Sequence, residues 1–278
     1  MEGLTRAAAG VVLAVVAGSA TVVTGTYALL GGSQHAYAKA IVHRTNNTVS
    51  LDITESAKNG GTPIRSYGVD MTKLMHMVVI RDDFGQFMHV HPTFNRKTGV
   101  FHQTIELDAA HNYTVYADTQ PKGMTQQVFR FAIGSAAPPP SETAAAPSTP
   151  SPSTVAAGPY NVALSKTTLH ANAMNMLPVE ITKAGKPATD LSPYLGAAGH
   201  AVFINVRTLA YIHVHPMIKG AKDNDMASMP MNDDEGMGKA GPHLMMHVPP
   251  LPAGTYKLWL QFRGGGTLYT APFTLVAH

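Results

Sequence analysis

The sequence predicts an all-β protein made of two tandem immunoglobulin-like or cupredoxin-like β-sandwiches. A proline-rich linker joins them, and an N-terminal hydrophobic helix precedes them. Three observations predict this fold: an uncharged apolar N-terminus, a Pro/Ala/Ser-rich segment in mid-chain, and a histidine motif that occurs once on each side of that segment. A chain of 278 residues has room for about two domains of ordinary size.

The composition limits the chemistry that the chain can perform. It contains 14 histidines and 15 methionines but no cysteine. The absence of thiols excludes disulfides, thiolate zinc sites, iron–sulfur clusters and cysteine-ligated blue copper. The net charge of +3, with its basic residues scattered, excludes an electrostatic nucleic-acid binder. Any metal site must therefore use imidazole, thioether and carboxylate ligands.

The N-terminal segment predicts export. Residues 7–32 carry no Lys, Arg, Asp or Glu and are long enough to cross a bilayer as a helix. We interpret residues 1–38 as a signal peptide or an uncleaved membrane anchor. Cleavage is expected at the A-Y-A sequence of residues 36–38, with the G-S-A sequence of residues 18–20 as the weaker alternative. The predicted location is extracytoplasmic, periplasmic or secreted, with membrane contact only through residues 7–32 if the segment is retained.

The middle of the chain predicts a linker between two domains. Residues 135–157 are almost entirely Pro, Ser, Thr and Ala, a composition that cannot bury a core and favours an extended spacer. The domains are therefore expected at residues 41–134 and 158–278. Short apolar or alternating runs in both, without a sustained helical period, predict strands. The predicted strands are 48–54, 74–81, 86–91, 99–107, 113–119 and 127–133 in the first domain, and 201–206, 210–216, 256–262 and 267–276 in the second.

A histidine motif is repeated in the two halves. In each copy one histidine is followed, thirteen and fifteen residues later, by the two histidines of an H-V-H-P segment. The copies are His76, His89 and His91 in the first half and His200, His213 and His215 in the second. Residues 106–119 also correspond to residues 250–262. The two halves are therefore interpreted as a duplication.

The spacing predicts that each histidine trio lies on one face of a β-hairpin. Residues two apart on a strand point to the same side, as do His89 and His91. With a hairpin loop at residues 82–85, paired positions sum to 167 and His76 lies directly across from His91. The second copy repeats this arrangement if its turn centres on residues 207–208. A register shift of one residue would destroy it.

Three converging imidazoles favour a metal site for Cu(II) or Zn(II). A fourth ligand is expected from His102 in the first half, and from His243, Met246 or His247 in the second half. The alternative interpretation is that the histidines hydrogen-bond to backbone or water and close the edge of a sheet.

A methionine-rich insertion distinguishes the second half. Residues 217–246 contain seven of the 15 methionines, interleaved with acidic residues and glycines. Met226, Met229 and Met231 place three thioethers, which are soft ligands that suit Cu(I), within one short span. We therefore predict copper as the metal, with Cu(II) at the histidines and Cu(I) at the insertion, and zinc as an alternative. The alternative interpretation, a solvated loop whose methionines have no role in metal binding, remains open.

Longer motifs carry a family resemblance. The sequences LMHMVVIRDDFGQFMHVHP (residues 74–92), DLSPYLGAAGHAVFINVRTLAYIHVHP (190–216) and GTYKLWLQF (254–262) resemble those of exported bacterial proteins with duplicated YtkA-like or FixH-like β-sandwich modules. This resemblance implies an extracytoplasmic module from a family associated with heavy-metal handling. The resemblance gives no firm enzyme activity.

The functional prediction is an exported metal-binding protein that buffers or delivers copper. Its partners would be the metal ion and an envelope metal transporter or chaperone, with no nucleic acid. No nucleophile elbow or phosphate loop is present, since the glycines at 264–266 are predicted as a hairpin turn. Two alternatives remain: a non-catalytic structural or interaction module of the envelope without metal, and, as a minor one, a mononuclear His-ligated metalloenzyme.

Overall fold

The computed structural model describes residues 20–134, 149–218 and 240–278. Within these ranges every regular element is a β-strand and no helix is present. The described residues divide into two compact units, each formed almost entirely by one half of the chain. Each half contains two sheets. The prediction of an all-β tandem sandwich is confirmed.

The described residues of the first half form ten strands in two sheets. The strands are β1 (Ala20–Thr24), β2 (Thr26–Tyr27), β3 (Tyr37–Thr45), β4 (Thr48–Ser56), β5 (Met75–Arg81), β6 (Phe87–Val90), β7 (Thr93–Asn95), β8 (Val100–Glu106), β9 (Tyr113–Thr119) and β10 (Gln127–Ile133). One sheet has the order β1-β3-β4-β8-β7, and the other has the order β2-β10-β9-β5-β6.

The second half repeats this arrangement. Its described strands are β11 (Thr154–Ala157), β12 (Tyr160–Leu164), β13 (Thr168–Leu169), β14 (Asn175–Lys183), β15 (Lys186–Pro187), β16 (Leu191–Ser192), β17 (His200–Asn205), β18 (Tyr211–Val214), β19 (Met217–Ile218), β20 (His243–Val248), β21 (Gly254–Gly264) and β22 (Thr267–Ala277). The sheets run β11-β12-β14-β20-β19 and β13-β22-β21-β17-β18, with β15 on β14 and β16 on β21. The two halves therefore share one strand order, which supports the duplication.

The core of each half forms because side chains alternate across the strands. In β4, Val49, Leu51 and Ile53 are fully buried while the intervening side chains are partly exposed. They pack in one cluster with residues of the opposite sheet such as Val79 and Val115. Burying each such side chain contributes about 1.5–3 kcal/mol, so this cluster holds the two sheets together.

A buried tyrosine near the start of one strand is common to both halves. The Tyr113 hydroxyl accepts a hydrogen bond from the Asp108 amide at 3.1 Å, and the Tyr256 hydroxyl donates to the Pro252 carbonyl at 2.9 Å. Such a contact, from a tyrosine to backbone a few residues upstream, is the tyrosine corner of immunoglobulin-type sandwiches. It fixes the loop that leads into β9 and into β21.

The glycine run at residues 264–266 forms the hairpin turn that the sequence predicts. Gly264 pairs with Thr267, so the loop between β21 and β22 has two residues. Gly265 has a φ of 56° and Gly266 a φ of 82°. A turn with both central residues in the left-handed region matches the twist of antiparallel strands and favours glycine.

Two of the predicted boundaries are wrong. Residues 20–27, expected within the N-terminal helix, form β1 and β2 instead, and β1 pairs with β3. This segment is rich in Val and Thr, whose branched side chains favour an extended backbone. Residues 154–157, expected in the linker, form β11 against β12. Residues 1–19 and 135–148 lie outside the described ranges.

No helix in the part of the chain that the structure describes is long and apolar enough to span a membrane.

Candidate metal centre

The first histidine trio is carried by the hairpin of β5 and β6. The Arg81 amide donates to the Gln86 carbonyl at 3.0 Å and closes the loop at residues 82–85. Met77 pairs with Val90 and Val78 with His89, so paired positions sum to 167 as predicted. Extending this register by one pair places His91 across from His76. The predicted register is confirmed because the turn length is the one assumed.

The three imidazoles converge on the face of β5 that points away from the core. Met75, Met77 and Val79 face the core cluster, so His76 and Val78 face the other way. His76 Nδ1 lies 3.0 Å from His89 Nε2 and 3.3 Å from His91 Nε2. His76 is 1% exposed and His89 7% exposed. The three donor atoms all lie within 4.8 Å of one another, close enough to hold one metal ion.

These separations match the bite of a metal ion bound by imidazoles. Nitrogen ligands bound at about 2.05 Å with tetrahedral angles lie about 3.3 Å apart, and a separation of about 3.0 Å corresponds to an angle near 95°. The distances from His76 to His89 and His91 fall at these values. The 3.0 Å distance also suits a hydrogen bond between neutral imidazoles, in which the single lone pair of His76 Nδ1 accepts from His89 Nε2. The geometry therefore needs little adjustment between a metal-bound and a hydrogen-bonded trio.

The second trio repeats the register on β17 and β18 and the close contact between its first two histidines. Val202 pairs with His213 and Ala201 with Val214, which is again the predicted register. His200 Nδ1 lies 3.2 Å from His213 Nε2, and the His215 ring lies 4.8 Å from the His200 ring between centroids. His200 is fully buried. The predicted duplication therefore extends from the sequence to the arrangement of the imidazoles.

A backbone contact orients His200. Its Nε2 lies 3.0 Å from the carbonyl oxygen of Tyr194, so Nε2 carries the proton and donates it. The Nδ1 lone pair then points toward His213. Metal-binding histidines commonly use such a hydrogen bond to fix the tautomer and the orientation of the ring.

The neighbouring strands place polar residues beside the trios that the sequence reasoning missed. Asp118 of β9 pairs directly with His76, and Gln261 of β21 pairs directly with His200. Asp118 is 3% exposed and accepts a hydrogen bond from Gln126 Nε2 at 2.7 Å. The correspondence of residues 106–119 with 250–262 was the available signal, because it puts Asp118 and Gln261 at equivalent positions. The first site thus has a carboxylate where the second has an amide.

Tyr116 and Trp259 lie on the same two strands, two residues before Asp118 and Gln261, and so on the same faces. Tyr116 pairs with Val78, and Trp259 pairs with Val202. Burial raises the pKa of Tyr116 above its usual value, which keeps the phenol neutral. An aromatic residue therefore lies on the strand next to β5 and on the strand next to β17, at the edge away from β6 and β18.

A second carboxylate lies inside the first sandwich. Glu55 of β4 is fully buried, and the Thr119 hydroxyl lies 2.9 Å from each of its two oxygens. Burial raises the pKa of Glu55 to about 8, since the charged form loses its hydration, and the nearby charge of Asp118 adds to this rise. Glu55 thus lies on the interior face of the sheet that carries β9, and Asp118 lies with His76 on the outer face of that sheet.

The structure does not bring His102 to the first trio. His102 is exposed on β8 of the other sheet, where its Nδ1 lies 2.7 Å from Asp52 Oδ1. Asp52 is its direct partner in the β4–β8 ladder. His102 was expected to reach the trio from a nearby strand, but β8 belongs to the sheet opposite the one that carries β5 and β6.

The candidates for a fourth ligand in the second half also lie on the other sheet. β20 alternates, so His243 and His247 are exposed on its outer face while Met246 is 0% exposed and packs in the core. None of the three lies on the sheet that carries His200, His213 and His215. Met226, Met229 and Met231 fall in residues 219–239, outside the described residues.

Three comparisons place the chain among known proteins. No curated protein sequence matches it. A solved structure, the GH family 64 laminaripentaose-producing beta-1,3-glucanase from Paenibacillus barengoltzii complexed with laminarihexaose, aligns with 11% identity and a TM-score of 0.25. That alignment covers 83% of this chain and 49% of the glucanase, so the chain spans about half of that enzyme. A likeness this weak carries no argument about fold or activity.

The family comparison is more informative. The family described as Domain of unknown function (DUF8832) matches residues 29–135 and 153–278. The two matched segments coincide with the two halves, which confirms the duplicated modules. The match identifies neither a YtkA-like or FixH-like family nor a metal-handling one, so that resemblance stays a prediction. With most of its length matched, the chain belongs to the DUF8832 family.

Proposed function

We propose that the protein is an extracytoplasmic metal-binding protein whose two histidine trios bind copper. The observation that carries this proposal is the convergence of His76, His89 and His91, whose donor nitrogens lie within 4.8 Å of one another. The second half repeats the same register and the same close contact between the first two histidines of its trio. Two copies of an arrangement with different turn sequences support a shared role for the imidazoles.

The ligand set supports Cu(II) with Zn(II) as the alternative. Imidazole suits both metals, and affinity for divalent ions of the first row peaks at Cu(II). Three imidazoles leave at least one coordination position open for an external donor. A site with an open position suits ligand exchange, and the proposed role is therefore copper buffering or delivery to an envelope metal transporter or chaperone.

The location is part of the proposal. An exported chain without cysteine does not depend on the redox state of its compartment. Ala36 and Ala38 of the expected cleavage site are buried at the start of β3, and cleavage there would remove β1 and β2. We therefore favour processing at residues 18–20, which would leave β1 nearly complete.

The test is titration of the purified protein with Cu(II) against a chromogenic chelator. The variant H89A/H91A removes two of the three first-half imidazoles and is expected to lose one bound equivalent, with at least 100-fold weaker binding at that site. The matched control is H102A, which removes an exposed imidazole of the same half that lies outside the trio. It should bind copper like the wild type.

Spectroscopy separates the metal site from the alternative. Electron paramagnetic resonance of the copper-loaded wild type should show nitrogen hyperfine coupling, which H89A/H91A should lose in part. If both variants bind Cu(II) and Zn(II) as the wild type does, the trio is not a metal site. The protein would then be the structural or interaction module without metal, in which the imidazoles hydrogen-bond to one another.

A further inference from the structure

A short turn from the first half of the sequence belongs to the second compact unit. Residues 69–73 precede the linker, but they group with the residues of the second half, whereas the residues on both sides of them group with the first. The Asp70 amide donates to the Lys73 carbonyl at 2.9 Å, and the Lys73 amide donates to the Asp70 carbonyl at 2.9 Å. Since these backbone hydrogen bonds close the turn, its conformation does not depend on the Asp70 carboxylate.

The Asp70 carboxylate lies beside two histidines of the second half. One donor atom from each of Asp70, His213 and His215 lies within 4.8 Å of the other two, which is close enough to hold one metal ion. His213 and His215 are two residues apart on an extended chain and point to the same side, and their ring centroids lie 4.6 Å apart. All three side chains are partly exposed, so an ion can reach them from solvent.

The turn that carries Asp70 is part of the repeat, but its carboxylate is not. Asp70 precedes His76 by six residues, and Tyr194 precedes His200 by six. Tyr194 forms the same pair of backbone hydrogen bonds, with Ala197, at 2.8 and 3.1 Å. A phenol therefore occupies the position of the carboxylate in the second copy, and the duplication by itself does not explain why residue 70 is acidic.

The backbone of the first turn is held in an unfavourable conformation. Met71 has a φ of 42° and Thr72 a φ of 71°, in the left-handed region that a β-branched residue rarely adopts. In the second copy the position of Thr72 is taken by Gly196, with a φ of 82°. Strained backbone of this kind is common in segments that hold a ligand, and it agrees with a turn whose role is to position Asp70.

Two imidazoles and one carboxylate form a ligand set for divalent ions. Imidazole suits zinc, copper, iron and nickel, and a carboxylate is a hard oxygen donor that soft Cu(I) does not prefer. Zinc sites built from two histidines and one carboxylate keep a further position for water or substrate. The group of Asp70, His213 and His215 therefore favours divalent ions, whereas the group in the first half consists of three imidazoles.

We propose that Asp70, His213 and His215 form a divalent-metal site within the second compact unit, with Zn(II) as the ion that defines it. This inference rests on the proposed function, since it assigns a ligand to the metal centre of the second half. The two centres then differ in their ligands, and the second one depends on a residue that lies before the linker in sequence.

The test is a Zn(II) titration of the full chain against a chromogenic chelator. It uses the H89A/H91A variant as background, because the first centre has lost two of its ligands there. This background should keep one equivalent of Zn(II). Adding Asp70→Asn should weaken that equivalent by about 100-fold or more, since a direct ligand contributes at least as much as the roughly 10–100-fold of a partner beside the ligands. Asp108→Asn, at a partly exposed loop carboxylate outside the group, is the matched control and should bind like the background.

Infrared spectroscopy distinguishes a ligand from a neighbouring charge. With aspartate carboxylates labelled with ¹³C, Zn(II) should shift the stretching band of one carboxylate in the H89A/H91A background. Asp70→Asn should abolish this shift, and Asp108→Asn should retain it. The melting temperature of the metal-free protein should be the same with and without Asp70→Asn, because the backbone closes the turn.

The outcomes separate this site from the proposed function as a whole. Unchanged Zn(II) affinity in Asp70→Asn, or a carboxylate band that does not respond to Zn(II), would overturn this inference and leave the histidine sites standing. A wild type that binds one equivalent and an H89A/H91A variant that binds none would show that the second unit holds no site, which also overturns it. A wild type that binds neither Cu(II) nor Zn(II) would overturn both proposals together.

Discussion

The proton held by Glu55 should make the stability of the first half depend on pH. In the folded protein burial raises the pKa of this carboxyl from 4.5 to about 8. The unfolded chain loses its proton near the lower value, while the folded chain keeps it up to the higher one. Between these values the folded state binds more protons than the unfolded state, so the free energy of unfolding falls as pH rises. The contribution of protonated Glu55 to stability is fully present below the pKa of the unfolded state, and it is lost as pH rises through the folded pKa.

The size of the effect follows from the two pKa values. Each unit of pH between them costs up to about 1.36 kcal/mol, and linkage gives a loss of about 2.5 kcal/mol between pH 5 and pH 7. Glu55→Gln removes the titrating group but keeps a side chain of the same shape and an oxygen that can accept from Thr119, which lies 2.9 Å away. This variant should not show the loss of stability between pH 5 and pH 7. At pH 7 it should therefore be more stable than the wild type by a similar amount.

The assay is urea unfolding at pH 5, 6 and 7, followed by amide hydrogen exchange in peptides of β4 and β9. The quantity compared is the difference between wild type and Glu55→Gln, because all other titrating groups cancel in it. Glu106→Gln is the matched control. Glu106 lies exposed on β8 of the same sheet, where Thr48 donates to it at 2.7 Å. Equal pH dependence of the wild type and Glu55→Gln would refute the argument that Glu55 is buried with its proton.

Three further predictions concern the site and the turns. Asp118→Asn should weaken Cu(II) binding at the first trio by about 10–100-fold, since partners beside metal-binding histidines typically contribute this much to affinity. Competition with a chelator measures the affinity, and an unchanged value would show that Asp118 is only structural. Tyr256→Phe removes the 2.9 Å hydrogen bond to Pro252 and should destabilise the second half by about 1 kcal/mol, read from the fluorescence of Trp259 during urea unfolding. Gly266→Ala places a side chain at a φ of 82° and should cost about 1 kcal/mol in the same assay, whereas an unchanged midpoint would mean that the turn adapts.

The sequence alone predicts the features that depend on neighbours along the chain. The hairpin of β5 and β6 has its expected register because turn length and side-chain alternation together determine which residues face each other. The same reasoning holds for β17 and β18, and for the glycine turn before β22. The duplication was visible for the same reason, since its motif spans one hairpin.

Features that depend on distant pairing were not predictable in this way. His102 is eleven residues from His91 in sequence, yet it lies on the opposite sheet and pairs with Asp52. Residues 20–27 look like a membrane helix by composition, but their Val and Thr side chains complete the edges of two sheets. In both cases the deciding contact is with a strand elsewhere in the chain.

The sequence by itself determined that two histidine trios exist and that each occupies one face of a hairpin. Only the tertiary structure decided what surrounds them: Asp118 across from His76, and Gln261 across from His200. The physical reason is that hairpin register follows from local turn geometry, whereas the order of strands in a sheet follows from how two whole sheets bury their apolar faces against each other.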